Sequence, residues 1–150
     1  MHTQARVFIR TALVYLVVAF TVGGLYLLNQ GLDFNADIGV LLYPYYHLLM
    51  VGWATQLICG VAVWMFPPLT REQPRGNERL GWFVYAALNL GLLLRVVGEP
   101  LQAWRGGWGW MLAAAAILQA LAIWAFVFAI WPRVKGKPIF KPKTTPGEVK

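Results

Sequence analysis

The chain has little charge, hardly any histidine and a single cysteine. Only 13% of its 150 residues are Asp, Glu, Lys or Arg, about half the share a soluble domain carries. That scarcity, set beside 59% hydrophobic residues, excludes a water-soluble globule. It also excludes a disordered chain, which needs high charge and few apolar side chains. Cys59 is the one cysteine; it has no partner within the chain, so a disulfide-stapled secreted domain is excluded too. No Ser-His-acid or Cys-His set falls at one depth, and HExxH, phosphate-loop and zinc spacings are missing. The net charge of +7 does not indicate nucleic acid, because most of the basic residues flank long apolar runs.

Those runs are what the chain has in abundance. A helix crosses the hydrocarbon core in about 20 residues, and four stretches, 7–28, 39–66, 80–98 and 108–131, reach that length. They predict an all-α membrane protein, an up-and-down bundle of four transmembrane helices occupying 1–132. Asn29-Gln30-Gly31 with Asp33 and Asp37, then Pro67-Pro68 through Arg79, then Pro100 through Gly107 mark the breaks. A residue before proline is pushed out of helical geometry, so the third helix is expected to end before Pro100, leaving Glu99 at its C-terminus. The first run is too long for a signal-peptide core and has no small-residue cleavage site behind it.

Lysine and arginine set the orientation. Arg6 and Arg10, then Arg71, Arg75 and Arg79, then Arg133 and five lysines of the C-terminal segment fall on one side of a four-span chain. The other side has Arg105, Asp33 and Asp37. Both termini are therefore expected in the cytoplasm, with the protein multi-pass in a bacterial cytoplasmic membrane. The bilayer is its first partner. Residues 133–150 are rich in Pro and Lys and read as a basic, mobile tail.

Ionisable residues inside a span are costly, which makes each one a functional candidate. His47 lies in the second span, and Arg95 and Glu99 in the third. In an antiparallel order all three fall in the outer half of the membrane. Glu99 can pair with Arg95 one turn earlier, or tune it for an anionic ligand, or handle protons. His47 can be a hydrogen-bonding residue or a metal ligand. On an α-helical wheel Tyr43, Met50, Val51 and Ala54 share its face, while Gly52, Gln56 and Gly60 form the opposite, close-packing face. Met50 is either a second soft ligand or a packing residue. Cys59 reads as an inert buried thiol.

The segment from Tyr46 and His47 through Gly52-Trp53, continuing to Trp64-Met65-Phe66-Pro67, resembles the second helix of subunit I in the haem-copper oxidase and nitric oxide reductase superfamily. About half of the chain resembles small four-span bacterial proteins related to that subunit, through His47-Leu48-Leu49-x-x-Gly52-Trp53 and Leu94-Arg95-x-x-x-Glu99-Pro100. The resemblance implies that His47 occupies a haem-ligand position, that Arg95 suits haem propionates, and that the chain equals one of three four-helix arcs. A homotrimer could then rebuild the ring. Haem b is the implied cofactor, with copper an alternative, and a respiratory-chain protein a possible partner. The chain departs from the family in having Tyr45 where many small relatives have a second histidine, and in lacking the copper and oxygen-reduction motif. A second axial ligand would have to come from another copy's His47, from Met50 or Tyr46, or from a partner. Glu99 completes the set of candidate cofactor-site residues. Electron transfer, gas binding or haem handling is the expected role. A non-catalytic accessory or scaffold subunit without a cofactor is the alternative, and a channel or transporter ranks last, since broken-helix pairs and inverted repeats are missing.

Overall fold

The computed structural model of the protein describes residues 3–66 and 77–134. The described chain is helical almost throughout. Helix α1 runs Thr3–Leu32, α2 runs Ala36–Met65, α3 runs Glu78–Arg105 and α4 runs Gly109–Ile130, followed by a 3-10 turn, Trp131–Arg133. All four are long and apolar enough to cross a membrane.

Side-chain contacts fix the order of the bundle. Gly60 of α2 packs on Phe8 of α1, Gly52 on Tyr15, and the Tyr45 ring on Gly23, so α1 and α2 are antiparallel. Gln4 bonds the Glu78 carbonyl, Thr11 the Tyr85 hydroxyl, and Tyr15 donates to Asn89, so α1 and α3 are parallel. Gly98 packs on Met111 and Gly91 on Gln119, which makes α3 and α4 antiparallel. The result is an up-down-up-down bundle. One end carries Arg6, Arg79 and Arg133; the opposite end carries Asp33, Asp37 and Arg105. The core is built from small and medium residues, with Phe8, Cys59, Val84, Ala87, Leu88 and Ala122 packed together, and Ala19, Leu48 and Leu92 forming a second cluster nearer His47. Most large apolar side chains face outward, Val17, Trp124 and Phe128 among them, an apolar exterior compatible with a surrounding bilayer.

The helix ends follow local chemistry. Asp33 takes a left-handed conformation (φ 47°) and its N–H bonds the Asn29 carbonyl, while the Asn29 side chain accepts from Asn35 N–H. The Asn29-Gln30-Gly31 break is thus the last turn of α1 rather than a loop. Asn77 caps α3 by accepting from Arg79 N–H at 3.0 Å.

Two expectations are corrected here. The third helix does not stop before Pro100; α3 continues to Arg105 with Pro100 buried inside it. Proline removes one N–H, a loss that transmembrane helices tolerate among neighbouring helices. The effective stop is Gly106-Gly107, whose φ angles of 67° and 77° an L-residue would resist. Arg133, placed in the mobile tail, is buried instead (5% exposed). Its Nη2 donates to the Phe66 carbonyl at 2.6 Å and to the Val63 carbonyl at 3.2 Å, groups that the end of α2 leaves without intrahelical partners. The remainder of the tail, 135–150, and the loop at 67–76 lie outside the described residues.

Candidate functional site

Helix α2 is not uniformly α-helical. It opens as a 3-10 helix, Ala36–Leu41, becomes α-helical over Leu42–His47, widens to a π-helix over Leu48–Thr55 and returns to α-helix over Gln56–Met65. The wide coil bonds each N–H to the carbonyl five residues back. Thr55 adds a side-chain version of the same reach, its hydroxyl donating to the Met50 carbonyl at 2.8 Å.

This segment overturns the wheel that set His47 opposite Gln56. Nine residues of regular α-helix separate the two by about 180°. A π insertion takes up roughly one extra residue, on the order of 100° of that rotation. Both side chains consequently reach α3: Gln56 lies 3.5 Å from Asn89 Oδ1, and His47 lies beside Glu99. Gly52 and Gly60 keep their expected role on the packing face, where an added Cβ would come within 3.0 Å of α1 side chains.

The site itself is three side chains. Glu99 is its hub and the most enclosed member, with 11% side-chain exposure against 23% for His47 and 32% for Arg95. Arg95 Nε donates to Glu99 Oε1 at 2.8 Å. His47 Nδ1 lies 3.1 Å from the same oxygen, 3.3 Å from Oε2 and 2.9 Å from the Tyr43 carbonyl. Every partner of Nδ1 is an acceptor, so Nδ1 carries the hydrogen. In the neutral ring the lone pair is then on Nε2, which makes no hydrogen bond among the described residues. The terminal Nη nitrogens of Arg95 likewise have no acceptor among them.

The arrangement can orient an imidazole through its Nδ1 side and offer Nε2 as a base or ligand. It also offers a guanidinium fork to an anion a helical turn away. Among the described residues no three His, Cys, Asp or Glu side chains converge as a metal cluster; His47 and Glu99 are the two that meet here. Of the five sequence-derived candidates, His47, Arg95 and Glu99 are brought together. Tyr46 and Met50 are not. Tyr46 packs beside Tyr45, ring centroids 5.3 Å apart, and lines a pocket between α1 and α2 with Phe20 and Tyr26. Met50 is 58% exposed, so within a single chain it neither packs nor joins the cluster.

Sequence reasoning passed over a second polar group deeper in the bundle. Thr11 meets the Tyr85 hydroxyl at 2.9 Å, Tyr15 donates to Asn89 Oδ1 at 2.8 Å, and Asn89 Nδ2 donates to the Tyr85 carbonyl. The signal was present as two i, i+4 polar pairs, Thr11/Tyr15 and Tyr85/Asn89, on the facing sides of two helices.

No family model, curated protein or solved structure matches the chain.

Proposed function

We propose that the protein is a multi-pass protein of a bacterial cytoplasmic membrane in which His47 ligates haem b or another metal centre. Both termini face the cytoplasm, which the gathering of Arg6, Arg79 and Arg133 at one end of the bundle supports. The observation that carries the site is the state of the imidazole: Nδ1 is held by a carbonyl and a carboxylate, and Nε2 is open. Metal-ligating histidines are oriented in this way by their surroundings. The oxidase-like motif around His47 supports the same assignment.

Three side chains of this chain divide the work. His47 supplies Nε2. Glu99 and the Tyr43 carbonyl fix the ring and its tautomer. Arg95, already neutralised at Nε by Glu99, presents its Nη nitrogens to an anionic group such as a haem carboxylate. Bound haem would supply one-electron chemistry or a gas site, according to whether a second axial ligand is present. That ligand comes from another chain, a second copy or a respiratory-chain partner, because the described residues contain no second histidine at the site. A copper centre would need its remaining ligands from outside in the same way.

The test is haem content. His47→Ala should purify as an intact helical bundle that retains no Soret-absorbing cofactor. Arg95→Ala should retain a reduced fraction. Full haem content in His47→Ala would refute the assignment. Wild-type protein that holds neither haem nor metal would also refute it, leaving a cofactor-free accessory subunit in which Glu99 simply ties α2 to α3.

A further inference from the structure

Thr55 closes the π segment of α2, and its side chain makes a bond that only a wide coil allows. In an α-helix a threonine hydroxyl donates to the carbonyl three or four residues back. Thr21 of α1 does so, bonding the Val17 carbonyl at 2.9 Å. Thr55 reaches one residue further, to the Met50 carbonyl five residues back, at 2.8 Å. Among the described residues its hydroxyl makes no other hydrogen bond.

The width of the coil decides whether α2 can make both of its polar contacts with α3. His47 meets Glu99, and Gln56 meets Asn89. In a regular α-helix the same two side chains would stand about 180° apart, and only one could face α3. Packing fixes the Gln56 end: Gln56 and Cys59 are each 1% exposed, and Gly60 lies against Phe8. The His47 end is looser, with Tyr43, Tyr46 and Met50 around it exposed. A return to α-helical winding therefore turns the His47 end by about 100°, away from Glu99.

We infer that Thr55 is a positioning residue: its hydroxyl holds the π register and thereby keeps His47 against Glu99. The role concerns that contact alone and stands whether or not His47 ligates haem.

Solid-state NMR in lipid membranes reads the contact directly. The protein carries 15N-labelled histidine and glutamate 13C-labelled at its carboxylate, in a His2→Asn background. The dipolar coupling between His47 Nδ1 and the Glu99 carboxylate carbon then reports the pair, whose N–O distances are 3.1 and 3.3 Å. Glu99→Gln should abolish the coupling, which assigns it. Long π turns are rare, and losing one hydrogen bond moves the equilibrium about fivefold toward α-helix. Thr55→Val should thus lose about half of the coupling or more, while Thr55→Ser should retain it. Thr21→Val, which breaks the ordinary bond in α1, should leave it unchanged. Deleting Ala54 from the Thr55→Val protein removes one residue, about as many as the wide coil absorbs. The coupling should return in that shortened, regular helix, a result that also decides the matter if Thr55→Val alone does not assemble. Full coupling in Thr55→Val, or an equal loss in Thr21→Val, would overturn the role of the hydroxyl. Coupling that stays lost after the deletion would overturn the rotation. A colourless wild-type protein with full coupling would refute the haem assignment and leave this one in place.

Discussion

Replacing Gly60 by alanine adds one methyl group at a close contact between α1 and α2. Its Cβ would fall 2.8 Å from Phe8 Cβ, 3.0 Å from Ile9 Cγ1 and 3.3 Å from the Ala5 carbonyl oxygen. None of these atoms is the free end of a flexible side chain. Phe8 Cβ is bonded to the backbone, and Phe8 and Ala5 are both buried. The two helices must therefore separate by a few tenths of an ångström. Overpacking of this kind costs about 1–3 kcal/mol. Alanine returns at most about 1 kcal/mol through its helix propensity, so a net loss of roughly 1–2 kcal/mol is expected. Gly24 is the control, because a Cβ there meets nothing within 4 Å. Gly24→Ala should be neutral or slightly stabilising. Unfolding in mixed SDS and maltoside micelles, followed by tryptophan fluorescence, reads both variants against the parent protein. If Gly60→Ala is as stable as Gly24→Ala, the close approach of α1 and α2 is wrong.

Three further substitutions test other parts of the fold. Arg133→Leu should lower stability in detergent by about 1–3 kcal/mol, because it strips the donor from the Val63 and Phe66 carbonyls; an unchanged melting temperature would return Arg133 to the tail. Tyr15→Phe should cost about 0.6 kcal/mol, and at most about 1.7, in the same unfolding assay by breaking the bond to Asn89, as hydrogen bonds between membrane helices do, and no change would remove the α1–α3 polar tie. Pro100→Ala should preserve or raise helical circular dichroism and stability, since it restores an N–H for the Val96 carbonyl inside a continuous helix; a loss of both would mean that the helix needs the proline as its end.

The four helices were legible because length and hydropathy alone define a segment that can cross a bilayer. The antiparallel order follows from the short connections. The shared depth of His47, Arg95 and Glu99 was legible from that order, and the structure brings the three within hydrogen-bonding distance. What was not legible depended on local departures from regular geometry. Periodicity rules assume 3.6 residues per turn, so the π segment after His47 was invisible and the wheel pointed the imidazole the wrong way. Pro100 was read by its usual effect on a helix in water, whereas a helix packed in a bundle tolerates it. Arg133 looked like one more basic tail residue, because nothing in its sequence neighbourhood says that the carbonyls at the end of α2, some 70 residues away, lie beside it.

The proposed role depends most on whether His47 Nε2 carries a metal centre. The direct measurement is the visible absorption spectrum of the detergent-purified protein, oxidised and dithionite-reduced, recorded for wild type and for His47→Ala at matched concentration. A Soret band that shifts and sharpens on reduction in the wild type and is missing from the variant is the predicted result. Two colourless samples, or two identical haem spectra, would contradict it.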